Sequence, residues 1–122
     1  MSPSNGTTIF HAIQRGEIPA DIVYEDEHLF AFRDIAPQAP VHVLFVPKVD
    51  VATMNDLQPS QEEVVGRLVV AAAAYAKREG FAEDGYRVVI NCNDDGGQTV
   101  FQLHLHLLAG APLGHFGVAG PR

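Results

Sequence analysis

From position 100 to 108, large apolar residues alternate with Gln102, His104 and His106. A strand turns successive side chains to opposite faces. Phe101, Leu103, Leu105 and Leu107 are therefore expected to form one apolar wall, with Gln102, His104 and His106 aligned on the other side. Alternating or β-branched runs mark four further strands at 21–25, 28–33, 41–46 and 86–91. Asp26 and Glu27 supply the turn between the first two, Pro37 and Pro40 break the connection to the third, and Pro47 closes that strand.

The helical pattern is confined to two places. Thr8 can cap a short helix over 8–16, with Ile9, Phe10 and Ile13 on one stripe and Gly16 at its end. Ser60-Gln61-Glu62-Glu63 is a capping-box signature that opens a long helix from 61 to about 79, ended by Gly80. A loop fills 48–59, with one helical turn near Met54, and turn-forming residues fill 93–99. Residues 1–7 are small and polar and read as frayed, and the tail from Gly110 reads as irregular. With no repeat and no linker, the expectation is a single α+β domain over 1–122, whose ends at 1–7 and 111–122 are flexible or irregular. It should hold a mainly antiparallel five-stranded sheet, a short N-terminal helix, and one long helix between strands three and four.

Composition narrows the function. A chain of 122 residues, 47% hydrophobic and 19% charged, suits one globular core. Its net charge of −7 disfavours nucleic acid as a partner, because polyphosphate binding rests on clustered Lys and Arg. No apolar run approaches the ~18 residues of a membrane span, and the first residues lack the basic and apolar regions of a secretory signal. Cys92 is the single cysteine, so no intrachain disulfide can form and a reducing cytoplasm is the expected compartment.

The candidate chemistry gathers at 91–106. Two imidazoles at i and i+2 of a strand stand about 7 Å apart along one face, close enough to share a phosphorus atom or a metal ion. Gly96 and Gly97 let backbone N–H groups approach an anion, Thr99 adds a hydroxyl, and Asn91 adds a neutral donor. A His-x-His pair also suits zinc, for which His42 is the best third ligand.

The stretch Gly96-Gly97-Gln98-Thr99-Val100-Phe101-Gln102-Leu103-His104-Leu105-His106-Leu107-Leu108 resembles the signature of the histidine triad (HIT) superfamily, His-φ-His-φ-His-φ-φ with φ apolar. The resemblance extends to Thr8-Ile9-Phe10, Gly16-Glu17-Ile18-Pro19-Ala20, 32–40, His42, Val46-Pro47-Lys48, Gly85-Tyr86-Arg87 and Asn91, and points to the Hint branch of purine nucleoside phosphoramidases. One position departs from it: the first triad histidine is Gln102 here.

The resemblance implies a HIT-like fold and a hydrolase that cleaves the phosphorus–nitrogen bond of purine nucleoside 5′-phosphoramidates. His104 is then the nucleophile of a nucleotidyl-histidine intermediate. A neutral imidazole suits that role at physiological pH. The Gln102 carbonyl would fix the His104 tautomer while its amide bonds a neighbour such as His42. His106, Asn91 and the Gly97, Gln98 and Thr99 backbone would surround the phosphoryl oxygens, with Thr99 near the leaving group as well. Asp34 would accept the ribose hydroxyls, and Ile35, Phe10, Ile13, Ile18 and Phe32 would form the purine slot. His42 would support the active-site histidines, while His11, His28 and His115 read as surface residues. No metal and no cofactor is required, and the expected assembly is a homodimer whose sheets join. Two alternatives stand beside this reading: a dinucleoside polyphosphate hydrolase of another HIT branch, or a non-catalytic nucleotide- or zinc-binding module.

Overall fold

Val41–Pro47, a run of β-branched and aromatic residues, is the middle strand, β3, of one antiparallel sheet. With β1 (Ile22–Glu25), β2 (Leu29–Arg33), β4 (Tyr86–Val89) and β5 (Leu105–Ala109) it makes the order β1-β2-β3-β5-β4. The computed structural model describes residues 8–120. The frayed segment expected at 1–7 lies outside them, as do positions 121 and 122.

Each face of the sheet is covered differently. On one, Leu29, Ala31, Val43, Phe45, Leu103, Leu105 and Leu107 pack against Leu68, Ala72 and Tyr75 of α2 (Glu62–Glu79). Burying a large apolar side chain contributes about 1.5–3 kcal/mol, so this layer supplies most of the stability. On the other face Phe10 of α1 (Ile9–Gln14) joins Phe30, Phe32, Leu44 and Val46 in a smaller cluster. Gly80 closes α2 at φ 90°, a left-handed conformation that glycine adopts without Cβ strain. No helix among the described residues is long and apolar enough to cross a membrane. Residues 110–120 contain no helix or strand.

Several local expectations need correction. The ladder of β5 starts at Leu105, not at 100, because 100–104 leaves β3 to follow the segment 47–51. There Leu103 N–H donates to the Val51 carbonyl (2.7 Å), and the Gln102 amide takes the Pro47 and Val49 carbonyls. Leu103, Leu105 and Leu107 do share the α2-facing wall, but Phe101 is only half-buried and lies outside it. β4 ends at Val89, which leaves Asn91 beyond the strand. Ser60 caps nothing: Pro59 opens a 3-10 turn (Pro59–Gln61) ahead of α2, and Gln61 becomes the N-cap. The loop at 93–99 holds one helical turn, α3 (Asn93–Gly96). At the first helix, Thr8 does cap α1, but Ile9 faces solvent.

Candidate active site

β3 and β5 bring three histidines to the α1 side of the sheet. His106 pairs with Leu44 across the ladder and His42 with Leu108, so His42 and His106 are diagonal neighbours on one face. His104 precedes β5 by one residue and keeps the same orientation, its ring centroid 5.0 Å from that of His106. Phe10 meets His104 edge to face at 4.8 Å and 88°.

Hydrogen bonds assign the protons. His42 Nδ1 accepts from the Gln38 N–H at 3.1 Å, so the His42 proton sits on Nε2. His42 Nε2 faces His106 Nδ1 at 2.9 Å and Asp34 Oδ2 at 3.5 Å. His106 Nδ1 is therefore an acceptor, and His106 carries its proton on Nε2. His104 is the reverse: its Nδ1 donates to the Gln102 carbonyl at 2.7 Å, which leaves Nε2 as a bare lone pair. No buried side-chain nitrogen or oxygen among the described residues lacks a partner, so both Nε2 atoms are reachable from outside. A nucleophile and a hydrogen-bond donor thus stand side by side.

Burial keeps these rings neutral. It holds His42 and His104 below the ordinary imidazole range, with Asp34 pulling weakly the other way on both and the Gln102 carbonyl also doing so on His104. His106 falls to about 4, through burial first and then the neighbouring His104 and His42 rings. All three hold a neutral, tautomerically fixed imidazole at pH 7.

The remaining expected residues divide into those near the histidines and those committed elsewhere. Asp34 Oδ1 accepts from the Ala36 N–H at 2.8 Å, and its Oδ2 faces His42. Gln102 is 2% exposed, and its amide does not reach His42. Instead Nε2 donates to the Pro47 and Val49 carbonyls and Oε1 accepts from the Val51 N–H. Gln98 is likewise a strut, bonded to the Asn93 N–H and to the Ala52 and Val100 carbonyls. The backbone N–H groups of Gly97 and Gln98 are engaged by the Asp94 and Asn93 carbonyls. Gly97, at φ 84°, ends α3 in the left-handed region. The glycine pair therefore serves a helix end, and Thr99, which is exposed, has no described partner. Asn91 is half-buried and also has no described partner. Phe10 and Phe32 are core residues, Ile13 packs on their cluster, and Ile18 and Ile35 face solvent, Ile35 at 94%.

His11 is a site residue that spacing along the chain does not flag. Expected at the surface, it is 7% exposed and bonded through Nε2 to Asp50 at 2.7 Å. It completes a capping box with Thr8 in the place usually held by Glu or Gln. That substitution hid the signal.

Residues 15–113 match the HIT domain model. The chain belongs to the HIT family. This HIT protein is 52% identical to the purine nucleoside phosphoramidase of Escherichia coli (strain K12) over 107 residues, which cover 88% of this chain and 90% of that one. It is 50% identical over 106 residues to the 14 kDa zinc-binding protein of Zea mays, with 84% of this chain and 81% of that protein covered. Among solved structures, a histidine triad protein from Clostridium difficile superposes with a TM-score of 0.88, with 40% identity and 93% and 99% of the two chains covered. The fold expected of a HIT domain is the fold observed.

Proposed function

We propose that this chain hydrolyses purine nucleoside 5′-phosphoramidates to the nucleoside monophosphate and an amine. The observation that carries the proposal is the opposed tautomers of His104 and His106. The resemblance to the E. coli phosphoramidase supports the choice of bond.

His104 Nε2 attacks the α-phosphorus in line, forming an N–P bond as the P–N bond to the amine breaks. The departing amine takes up one proton. Water then adds its oxygen to phosphorus, freeing His104 and returning one proton to the site. His106 Nε2–H donates to an equatorial phosphoryl oxygen, and the Thr99 hydroxyl adds a second donor beside it. The relay Gln38–His42–His106 holds that donor in its tautomer without a metal or cofactor. Asp34 accepts the ribose hydroxyls, and Ile35 and Ile18 close the purine side of the site over Phe10 and Phe32. Asn91 lies at the phosphate end.

Intact-mass measurement during turnover of an adenosine 5′-phosphoramidate tests this. Wild type should carry an adenylyl adduct that His104→Ala lacks. Turnover without any adduct sinks the covalent route, and no turnover by wild type sinks the activity.

We also infer a homodimer. β4 is an edge strand, bonded only to β5, and exposes Tyr86 and Val88. A second copy pairing along β4 would cover both, and a mass that stays monomeric on concentration contradicts it.

A second reading has its own observation. Asp34, His42 and His106 each offer a ligand atom, all within 4.8 Å of one another. Zinc there would replace the proton that His42 Nε2 shares with His106 Nδ1, with Asp34 as the carboxylate ligand, in keeping with the name of the maize relative. Stoichiometric zinc retained through chelator-free purification favours it, and full activity of zinc-free protein argues against it.

A further inference from the structure

His104 is fixed on two sides, by the Gln102 carbonyl at Nδ1 and by the edge of Phe10 against its ring. Phe10 belongs to a six-residue helix, far below the length at which a helix holds itself in water. Packing of Phe10 on Phe32 and of Ile13 on the same cluster seats α1, and the residue next to Phe10 adds a polar tie. His11 Nδ1 accepts from the Thr8 N–H at 3.3 Å and lies 2.6 Å from the Thr8 hydroxyl. Its proton therefore sits on Nε2 and is donated to Asp50 Oδ1 at 2.7 Å.

Asp50 lies between the two residues that the Gln102 side chain holds, Val49 and Val51. The contacts close into a ring: Gln102 to segment 49–51, Asp50 to His11, α1 to Phe10, Phe10 to His104, and His104 back to the Gln102 carbonyl. We propose that His11 and Asp50 form a positioning pair that holds the His104 imidazole through Phe10, with Gln102 as the common post of the ring. The inference rests on the role given to His104 above. Neither residue touches the reacting atoms. Their effect is on the orientation of the Nε2 lone pair, where a small misalignment lowers the in-line step more than it lowers binding.

The test compares His11→Asn, His11→Gln and Asp50→Ala in the full chain. A glutamine places an amide N–H near the position of imidazole Nε2 and can still reach Asp50, whereas an asparagine falls short. We expect kcat on an adenosine 5′-phosphoramidate to drop about 10-fold or more for His11→Asn, with KM changed less than about three-fold. His11→Gln should recover most of that loss. The long-range ¹H–¹⁵N spectrum of the His104 ring is read in parallel, without substrate. It should show one sharp Nδ1–H tautomer in wild type and His11→Gln, and a broadened or mixed ring signal in His11→Asn.

Asp50 is exposed, so Asp50→Ala tolerates the loss of its side chain and repeats the comparison if His11→Asn does not fold. A His104 spectrum unchanged in a folded variant that has lost the His11–Asp50 bond overturns the proposal, whatever the activity. Absence of turnover in wild type with the spectral change present would instead remove only the proposed substrate.

Discussion

On one side of the sheet Leu103, Leu105 and Leu107 meet Leu68, Ala72 and Tyr75 of an eighteen-residue helix, whereas on the other His104 meets Phe10 of a six-residue one. The same alternating stretch builds both faces. The long helix covers its face chiefly with apolar side chains, with Arg78 adding a hydrogen bond to the Val23 carbonyl at the margin. The short one leaves His104 and His106 dry enough to stay neutral but open at Nε2. A site of this kind needs the rigidity of the apolar face and the incomplete cover of the other. Mutations on the two faces should therefore separate stability from chemistry.

The largest separation is expected between neighbours. His104→Ala should lower turnover by about 10³-fold or more, since no other described group offers a bare, oriented lone pair beside a donor. It should change the denaturation midpoint little beside Leu105→Ala, which empties a site buried against α2 and costs about 2–5 kcal/mol. Activity per folded molecule of Leu105→Ala should remain near wild type. Chemical denaturation and active-site-titrated kinetics read the two effects, and equal loss of activity in both variants would erase the distinction between faces.

His42→Ala sharpens the comparison within the chemical face. It removes the Nε2–H that holds His106 Nδ1 as an acceptor, so the donor at His106 Nε2 is no longer fixed. Turnover should fall about 10–100-fold, as for other partners that orient a functional histidine, while the adenylyl adduct on His104 still forms. Loss of the adduct itself would move His42 from support to the reaction.

How far the sequence reached follows the same division. The alternation at 103–107, the β-branched run of β3 and Gly80 are local signals, so the sheet, its helices and the shared face of His104 and His106 were legible. So was the hydrogen bond from His104 to the Gln102 carbonyl, because a backbone acceptor does not depend on the side chain. What escaped was set by contacts remote in sequence. Gln102 holds carbonyls more than 50 residues away, and His11 is bonded to Asp50 across 39 residues. Neither leaves a trace in spacing. The glycine pair at 96–97 is ambiguous in sequence, because a helix end and an anion cradle use the same residue, and α3 is one turn long.

Gln102→His restores the residue usual in the family signature and tests whether this position belongs to the chemistry or to the frame. An imidazole has two nitrogens, one donor and one acceptor when neutral. It cannot satisfy the Pro47 and Val49 carbonyls and the Val51 N–H together, as the amide does. One buried backbone group is left without a partner, at a cost of about 1–3 kcal/mol. The expected outcome is a lower denaturation midpoint with kcat within about two-fold of wild type. A faster enzyme of unchanged stability would show that the frame reading is mistaken.

The smallest effect concerns pH, and it asks whether the chemical face is as dry as its contacts imply. An exposed imidazole with a pKa near 6.5 would be half protonated at pH 6.5 and would lose half its nucleophilicity there. Burial holds His104 below that range, and His106 is down at about 4. The acid limb of kcat/KM should accordingly lie below pH 6.5, with less than about two-fold change between pH 7.5 and 6.5. Stability should follow the opposite accounting of protons: between pH 6.5 and about 4 the unfolded chain binds protons that the folded His106 does not. The folded state is thus fully favoured above pH 6.5 and loses ground as pH falls toward 4, so activity per folded molecule should persist into a range where the folded population itself declines. An acid limb at 6.5 or above would mean that water reaches His104 freely, and that α1 does not cover this face as α2 covers the other.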